Sequence, residues 1–570
     1  MKDPIYIHND TAILNYSTFY PKSNEAFLAS SVFFQIMDKF LNDFKVQDSD
    51  AYDWLCNHQA HDVVIVKMQK FLRTLYVLEI EEMESRLLAD RERLIYVIEA
   101  FYTYYRKLQR LATIKISESS SGYVVNIMDA DTRFNNMMRY MYRNILEKVQ
   151  GYRSNVYRQL DAGTDAAMVL CDVNWQVPEG YEGLSEIPFA CQILLKPPLL
   201  LHPKANKRYG SFDLVDDNVI KGQTLDYHQY YCYPAKVGEL LIFVYVNFDF
   251  AFSGLANANL FQLATRKEVA ENKVDGILVF GYPDGTETCT YTYDQEADLW
   301  VGKVPYMEMI EYFGYMKKMV LTMHNAIMMS KGRLPVHGSM INLRFRGNRS
   351  LGVCFIGDSG AGKSEVIEAM DLLKHPDLLS MDIIFDDMGS FLIENGQVLA
   401  QGSEIGAFIR LDDLDKGSPY KSMDRAIFMN PDSTNARIVV PVTAYHVITK
   451  KHPIDFLFYA NNYENKVGYR LAKQANDIKD VFVEGKRMAM ATTHEKGLST
   501  TYFANPFGPM QDQATCDGLL ERFFKVLTES GVPVGEVYTG LGVVETSSEH
   551  LKATAKLLLE LFEHHLNQKV

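Results

Sequence analysis

The chain has 570 residues, is 47% hydrophobic and 23% charged, and carries a net charge of −14. Those values fit a globular protein of roughly two to four domains and set an acidic surface against nucleic acid and anionic membrane, and the chain shows no internal repeat or low-complexity tract. The seven cysteines form no C-x-x-C pair, no apolar run is long enough to span a bilayer, and the start Met1-Lys2-Asp3-Pro4 lacks the apolar core of a signal peptide. The expected setting is cytoplasmic, with neither nucleic acid nor membrane as partner.

In chain order, residues 1–160 read as a helical bundle. Phe27, Val32, Phe33, Ile36, Met37, Phe40, Leu41 and Phe44 recur at helical spacing, with Ser23 or Asn24 placed to cap. Further helical stretches are expected over about 61–111 and 132–160, and this region is a candidate partner or oligomer contact. Residues 165–304 read as a mixed β-rich domain, with strands at Leu240–Val246 and Gly276–Phe280. The basic segment His202–Tyr209 reads as a solvated loop, with anion binding as its alternative. Residues 305–570 read as α/β: a helix over about 307–331, strands near 337–345, 351–356 and 381–385, and a hairpin turning at Asn395-Gly396. An amphipathic helix closes the chain at Glu549–Phe562.

The chemistry concentrates at Gly357-Asp358-Ser359-Gly360-Ala361-Gly362-Lys363-Ser364, which fits the phosphate-loop pattern. An apolar strand precedes it and a helix follows. The glycines let backbone N–H groups close around phosphate oxygens, and the helix N-terminus adds to the field. Lys363 is expected on the outer phosphates and Ser364 on Mg2+. Asp386-Asp387, at the end of an apolar strand, supply the second acidic group such a site needs. The chain is therefore expected to bind ATP.

From 305 to 565 the order of short motifs resembles ATP-dependent phosphoenolpyruvate carboxykinase. Tyr312–Lys318, Leu334–Ser339, Phe385-Asp386-Asp387, Ser433–Pro441, His452–Phe458, Lys496–Leu498 and Ala504–Gly508 are similar to that family's segments in the same order. The resemblance implies a carboxykinase-like P-loop fold after a helical bundle and a mixed α/β segment. It implies that Lys318, His337 and Asp387 hold Mn2+, that Ser364 with Asp386 or Asp387 serves Mg2+, that Lys363 and Arg437 neutralise charge in phosphoryl transfer, and that Lys496 and Thr500 lie near adenine. The Gly-Lys-Ser-Glu end of the loop is closer to HPr kinase, a phosphate-loop kinase of protein serine. The carboxykinase's substrate-gripping arginine segment has no match in residues 1–304, and Gly402–Ala407 lacks the lysine of the family's matching segment. The leading expectation is an ATP-dependent kinase for a small-molecule or protein acceptor. The alternatives are a true carboxykinase, in which an arginine such as Arg208 replaces the missing one, and a nucleotide-gated interaction protein.

Overall fold

The computed structural model describes residues 2–116, 126–157, 160–411, 423–489, 497–543 and 547–568. The chain is mixed α/β and divides into two compact units. The first comprises Met1–Val173, Glu186–Lys196 and Asp226–Tyr231, and the second comprises Asn174–Ser185, Pro197–Leu225 and Cys232–Val570. The stretch 165–304, expected as one domain, contributes to both.

In the first unit four long helices, Ser31–Gln47, His61–Val77, Arg91–Lys107 and Ile127–Gln150, enclose an apolar core of Phe27, Phe33, Ile36, Phe40, Ile65, Leu75, Leu94 and Phe134 among others. Their starts follow from capping oxygens: Ser30 accepts from Phe33 N and Asp90 from Arg93 N. Ser23 caps a short helix, Asn24–Leu28. The helical expectation for 1–160 needs correction, because strands Ile5–His8, Thr11–Asn15 and Gln109–Ile116 lie within it. Thr11–Asn15 pairs in parallel with Gln109–Ile116, which pairs in parallel with Ala166–Cys171. The expected helix over 61–111 is two helices. It breaks at 3-10 turns within 80–89, and the second ends at Lys107, where the alternation of Leu111, Thr113 and Lys115 becomes strand-like.

The second unit contains three layers that bear on the site. Part of a larger sheet runs Leu240–Asn247, Gly276–Tyr282, Leu299–Pro305, Cys289–Asp294, Phe212–Leu214. A small sheet pairs Gly406–Arg410, Arg437–Pro441, Ile427–Met429 and Leu199–Leu201. An eight-stranded sheet is ordered His452–Pro453, Gln397–Gly402, Leu378–Glu394, Leu334–Phe345, Arg349–Ile356, Phe456–Asn461, Val534–Tyr538, Tyr469–Leu471. Its central strand Arg349–Ile356 is buried on both faces: Leu351, Val353 and Phe355 join one core, Cys354 and Ile356 another. The hairpin turn at Asn395-Gly396 has both residues at positive φ, 51° and 73°, as a two-residue turn of this hand requires. The C-terminal helix Ser547–Gln568 packs Leu551, Ala555, Leu558, Leu559, Phe562 and Leu566 into the first of those cores. No helix among the described residues is long and apolar enough to cross a membrane.

Candidate nucleotide and cation site

The strand Arg349–Ile356 leads straight into the Gly357–Gly362 loop, and the helix Lys363–Leu372 begins at the loop's lysine. Gly360 and Gly362 hold φ of 78° and 95°, which a side chain resists. The loop is fixed by side chains from later in the chain. Thr539 Oγ1 donates to Ala361 O at 2.7 Å, and Asn462 Nδ2 donates to Gly360 O at 2.9 Å. Asp358 is buried and accepts from Arg487 Nε and Thr501 Oγ1, both at 2.9 Å, and from the Ser359 amide at 2.7 Å. Burial pushes its carboxyl up, but His337, Arg487 and these bonds outweigh that and hold it below the usual carboxylate range. Lys363 Nζ donates to the loop's own carbonyls, Gly357 O at 2.7 Å and Asp358 O at 3.1 Å.

Sheet register delivers the acidic pair. Leu334–Phe345 lies between Arg349–Ile356 and Leu378–Glu394, with Gly338 opposite both Ile356 and Asp387, and Ser339 opposite Asp386. Asp386 Oδ1 accepts from Ser364 Oγ at 3.0 Å and Ser339 Oγ at 2.5 Å. Asp387 Oδ2 meets Lys317 Nζ at 2.6 Å and Lys318 Nζ at 2.5 Å, while its Oδ1 lies 3.0 Å from His337 Nε2. Burial raises the Asp387 carboxyl, and the two lysines and His337 overcome this to keep it well below the ordinary range. Burial pulls Lys318 down from its usual value despite Asp387. Burial, with Lys363, likewise lowers His337. Its Nδ1 lies 2.8 Å from Ala504 O and its Nε2 3.0 Å from Asp387 Oδ1; both partners only accept, so a neutral ring can donate to just one of them. With the proton on Nδ1, a lone pair on Nε2 would face a carboxylate oxygen, an arrangement that a bridging cation would relieve.

A cavity of about 900 Å³ gathers these groups. Ser359, Gly360, Gly362, Lys363, Ser364, Asp386, Asp387, Lys318, His337 and Arg437 all line it, so most of the residues singled out in the sequence meet in one place. Gly357, Asp358 and Ala361 complete the loop behind them. Thr500 is exposed on the strand Gly497–Thr500 and is absent from the lining, whereas its neighbour Thr501 binds Asp358. Lys496 lies outside the described residues. Among the described residues no three His, Cys, Asp or Glu side chains converge as a metal site; the donor set here includes a lysine and a serine instead.

The basic segment, expected as a solvated loop with anion binding as its alternative, sends Asn206, Lys207 and Arg208 to the cavity wall. It is stitched there by Asn206 Nδ2 to Thr434 O at 2.9 Å, Asn430 Nδ2 to Pro203 O at 2.9 Å and Tyr209 N to Tyr315 OH at 3.0 Å. Arg208 stacks on Phe212 and Phe507. Burial lowers its guanidinium from the usual value, and the groups facing it are Tyr315, Cys289 and Tyr312, none a carboxylate. Phe507 also underlies Lys318 Nζ at 4.7 Å. Arg410 and Arg437 sit opposite each other in register. Seven lysine and arginine side chains line the cavity against four carboxylates, a cationic pocket in an acidic chain.

Lys317 is fully buried and bridges Asp387 to Glu404 Oε1, 3.1 Å away. Burial opposes its charge, but the two carboxylates more than reverse that and raise it. Burial raises Glu404 to about 7 in spite of Lys317. Neither Glu404 oxygen accepts a well-directed hydrogen bond.

No protein-family model matches the chain, and no curated protein matches it. Among solved structures, the Hpr(Ser) kinase/phosphatase from Coxiella burnetii overlaps 24% of this chain and 76% of its own length, at 14% identity and a TM-score of 0.13. A similarity of that strength says nothing about activity.

Proposed function

We propose that this chain is an ATP-dependent phosphotransferase. The observation that carries the reading is the convergence of Lys363, Ser364, Asp386 and the Asp387–Lys318–His337 cluster on one cationic cavity. Phosphoryl transfer requires little covalent chemistry from a protein and much positioning of negative charge, and this cavity supplies cations and oriented loop amides. Ser364 and Asp386 share an oxygen contact suited to holding Mg2+ with the nucleotide. His337 Nε2, Asp387 and Lys318, whose charge burial disfavours, would fit a softer second ion such as Mn2+. Such ions, when bound, neutralise charge on the transferring group. Lys363 exchanges its loop carbonyls for phosphate oxygens. Arg437 lines the same cavity, where it would neutralise charge on the transferring group.

A second reading, ATP-dependent phosphoenolpyruvate carboxykinase, is favoured by one observation. Arg208 faces the cavity without a carboxylate partner among the described residues, as a grip for an acceptor carboxylate would. In that reaction oxaloacetate loses CO2 to an enolate, whose oxygen takes the γ-phosphoryl group of ATP.

The test is titration with ADP, followed by ATP turnover with oxaloacetate in Mg2+ and Mn2+. Lys363→Ala is expected to lower ADP affinity at least tenfold. Phosphoenolpyruvate formed by the wild type and not by the variant selects the carboxykinase. Binding without that product selects a kinase for another acceptor. A wild type that binds no nucleotide would sink both readings.

A further inference from the structure

Glu404 occupies a place that the proposed reaction does not explain. It follows the strand Gln397–Gly402, is 2% exposed and does not line the cavity. It therefore touches neither nucleotide nor acceptor nor a cation held by Asp387. Its partner Lys317 is 1% exposed, sits on the almost wholly buried helix Gly314–Ser330, and holds Asp387 Oδ2 at 2.6 Å. Lys318, the next residue, holds the same oxygen at 2.5 Å. Two lysines thus converge on one carboxylate oxygen, a crowding of like charge on a largely buried wall of the cavity.

An uncharged residue would fill the space of Glu404 without the desolvation cost of a buried acid. What the acid provides is a second counter-charge for Lys317, placed on the side away from Asp387. With it, Asp387 is not the sole neutralising partner of two lysines. The edge formed by Asp387 Oδ1 and His337 Nε2 keeps an electronegative character that can attract a divalent ion. Without it, the cluster gains one positive charge and Asp387 is drawn further onto Lys317.

We infer that Glu404 is a positioning residue that tunes the Asp387–His337–Lys318 site for a divalent cation by neutralising Lys317. This rests on the functional reading above, which assigns that cluster a cation.

The experiment measures Mn2+ affinity of the full chain at pH 8 by the electron paramagnetic resonance signal of free Mn2+, alongside ADP affinity in Mn2+-free buffer. Glu404→Gln is expected to weaken Mn2+ binding at least tenfold and leave ADP affinity within twofold. The double variant Lys317→Met/Glu404→Gln removes both charges and is expected to recover Mn2+ affinity to within threefold of wild type. A general packing defect would not be rescued by this second substitution. If Glu404→Gln fails to fold, a folded double variant with wild-type Mn2+ affinity supports the same coupling, and failure of both variants to fold overturns it. Unchanged Mn2+ affinity in Glu404→Gln, or a double variant as weak as the single, also overturns it. Wild-type protein that binds ADP but no Mn2+ overturns this inference alone. Wild-type protein that binds neither overturns the phosphotransferase reading beneath it.

Discussion

Buried ionisable side chains set how this chain responds to pH, and His324 gives the cleanest case. It is fully buried on the helix Gly314–Ser330, with Nδ1 3.0 Å from Asn325 Oδ1. Burial, with Arg333 and Lys331 nearby, lowers it to about 4. The unfolded imidazole takes a proton near pH 6.5 and the folded one only near 4. Between those values the unfolded chain binds more protons, so the stability contribution is complete above 6.5 and lost as pH falls toward 4. The full effect is about 3 kcal/mol. Denaturant midpoints measured at pH 7 and pH 5 are expected to fall further for wild type than for His324→Gln. Superimposable pH profiles would show that His324 is not the titrating group. At this scale the sequence was readable only where the residue type and its neighbours form a motif. Lys363 and Ser364 announce themselves within eight residues. Glu404 does not, because what gives it meaning, Lys317, arrives from a distant part of the chain.

Among the elements, the phosphate loop depends on glycine for two separable reasons. Gly362 has φ 95°, and a Cβ there would lie 2.5 Å from the Thr539 Cβ. Gly396, in the hairpin turn, has φ 73° and nothing within 4 Å of a built Cβ. Gly396→Ala should therefore incur only the backbone penalty, on the order of 1 kcal/mol, and leave ADP binding unchanged. Gly362→Ala adds a clash that pushes the loop off Thr539, and is expected to cost more stability and at least tenfold in ADP affinity. Equal effects of the two substitutions on ADP titration would refute this account. The same scale shows which elements a local pattern reveals. The strand–loop–helix around 357, the hairpin at 395 and the last helix were all legible, because their signals are turn residues and a periodicity complete within the element. The strands Thr11–Asn15 and Gln109–Ile116 were not. They are specified by pairing with each other across about a hundred residues. The second also continues directly from a strong helical pattern.

For the molecule as a whole, net charge was a poor guide to the site. An acidic chain folds its cations inward around one cavity, so a bulk value of −14 and a pocket of seven lysine and arginine side chains against four carboxylates coexist. Domain number was no easier to read, since each unit draws on separated pieces of chain. Three of the apolar cores, by contrast, each lie within one unit. The cluster around Phe33, Phe40, Ile65 and Leu94 belongs wholly to the first unit, and the clusters around Val353, Phe458 and Phe562 and around Ile356, Tyr459 and Phe523 belong wholly to the second. Separate cores favour separate cooperative transitions. The loop and acidic pair lie in the second, so nucleotide should act on that transition alone. At a free ADP concentration one hundred times its dissociation constant, with Mg2+, the stabilisation is about 2.7 kcal/mol. For a unit of this size that amounts to a rise of several degrees in its melting temperature. Calorimetry is expected to show two transitions, one shifting with Mg-ADP and the other fixed, with the shift abolished in Lys363→Ala. A single transition that moves as a whole would mean that the two cores melt together. Two transitions that both ignore Mg-ADP would remove the nucleotide from this account.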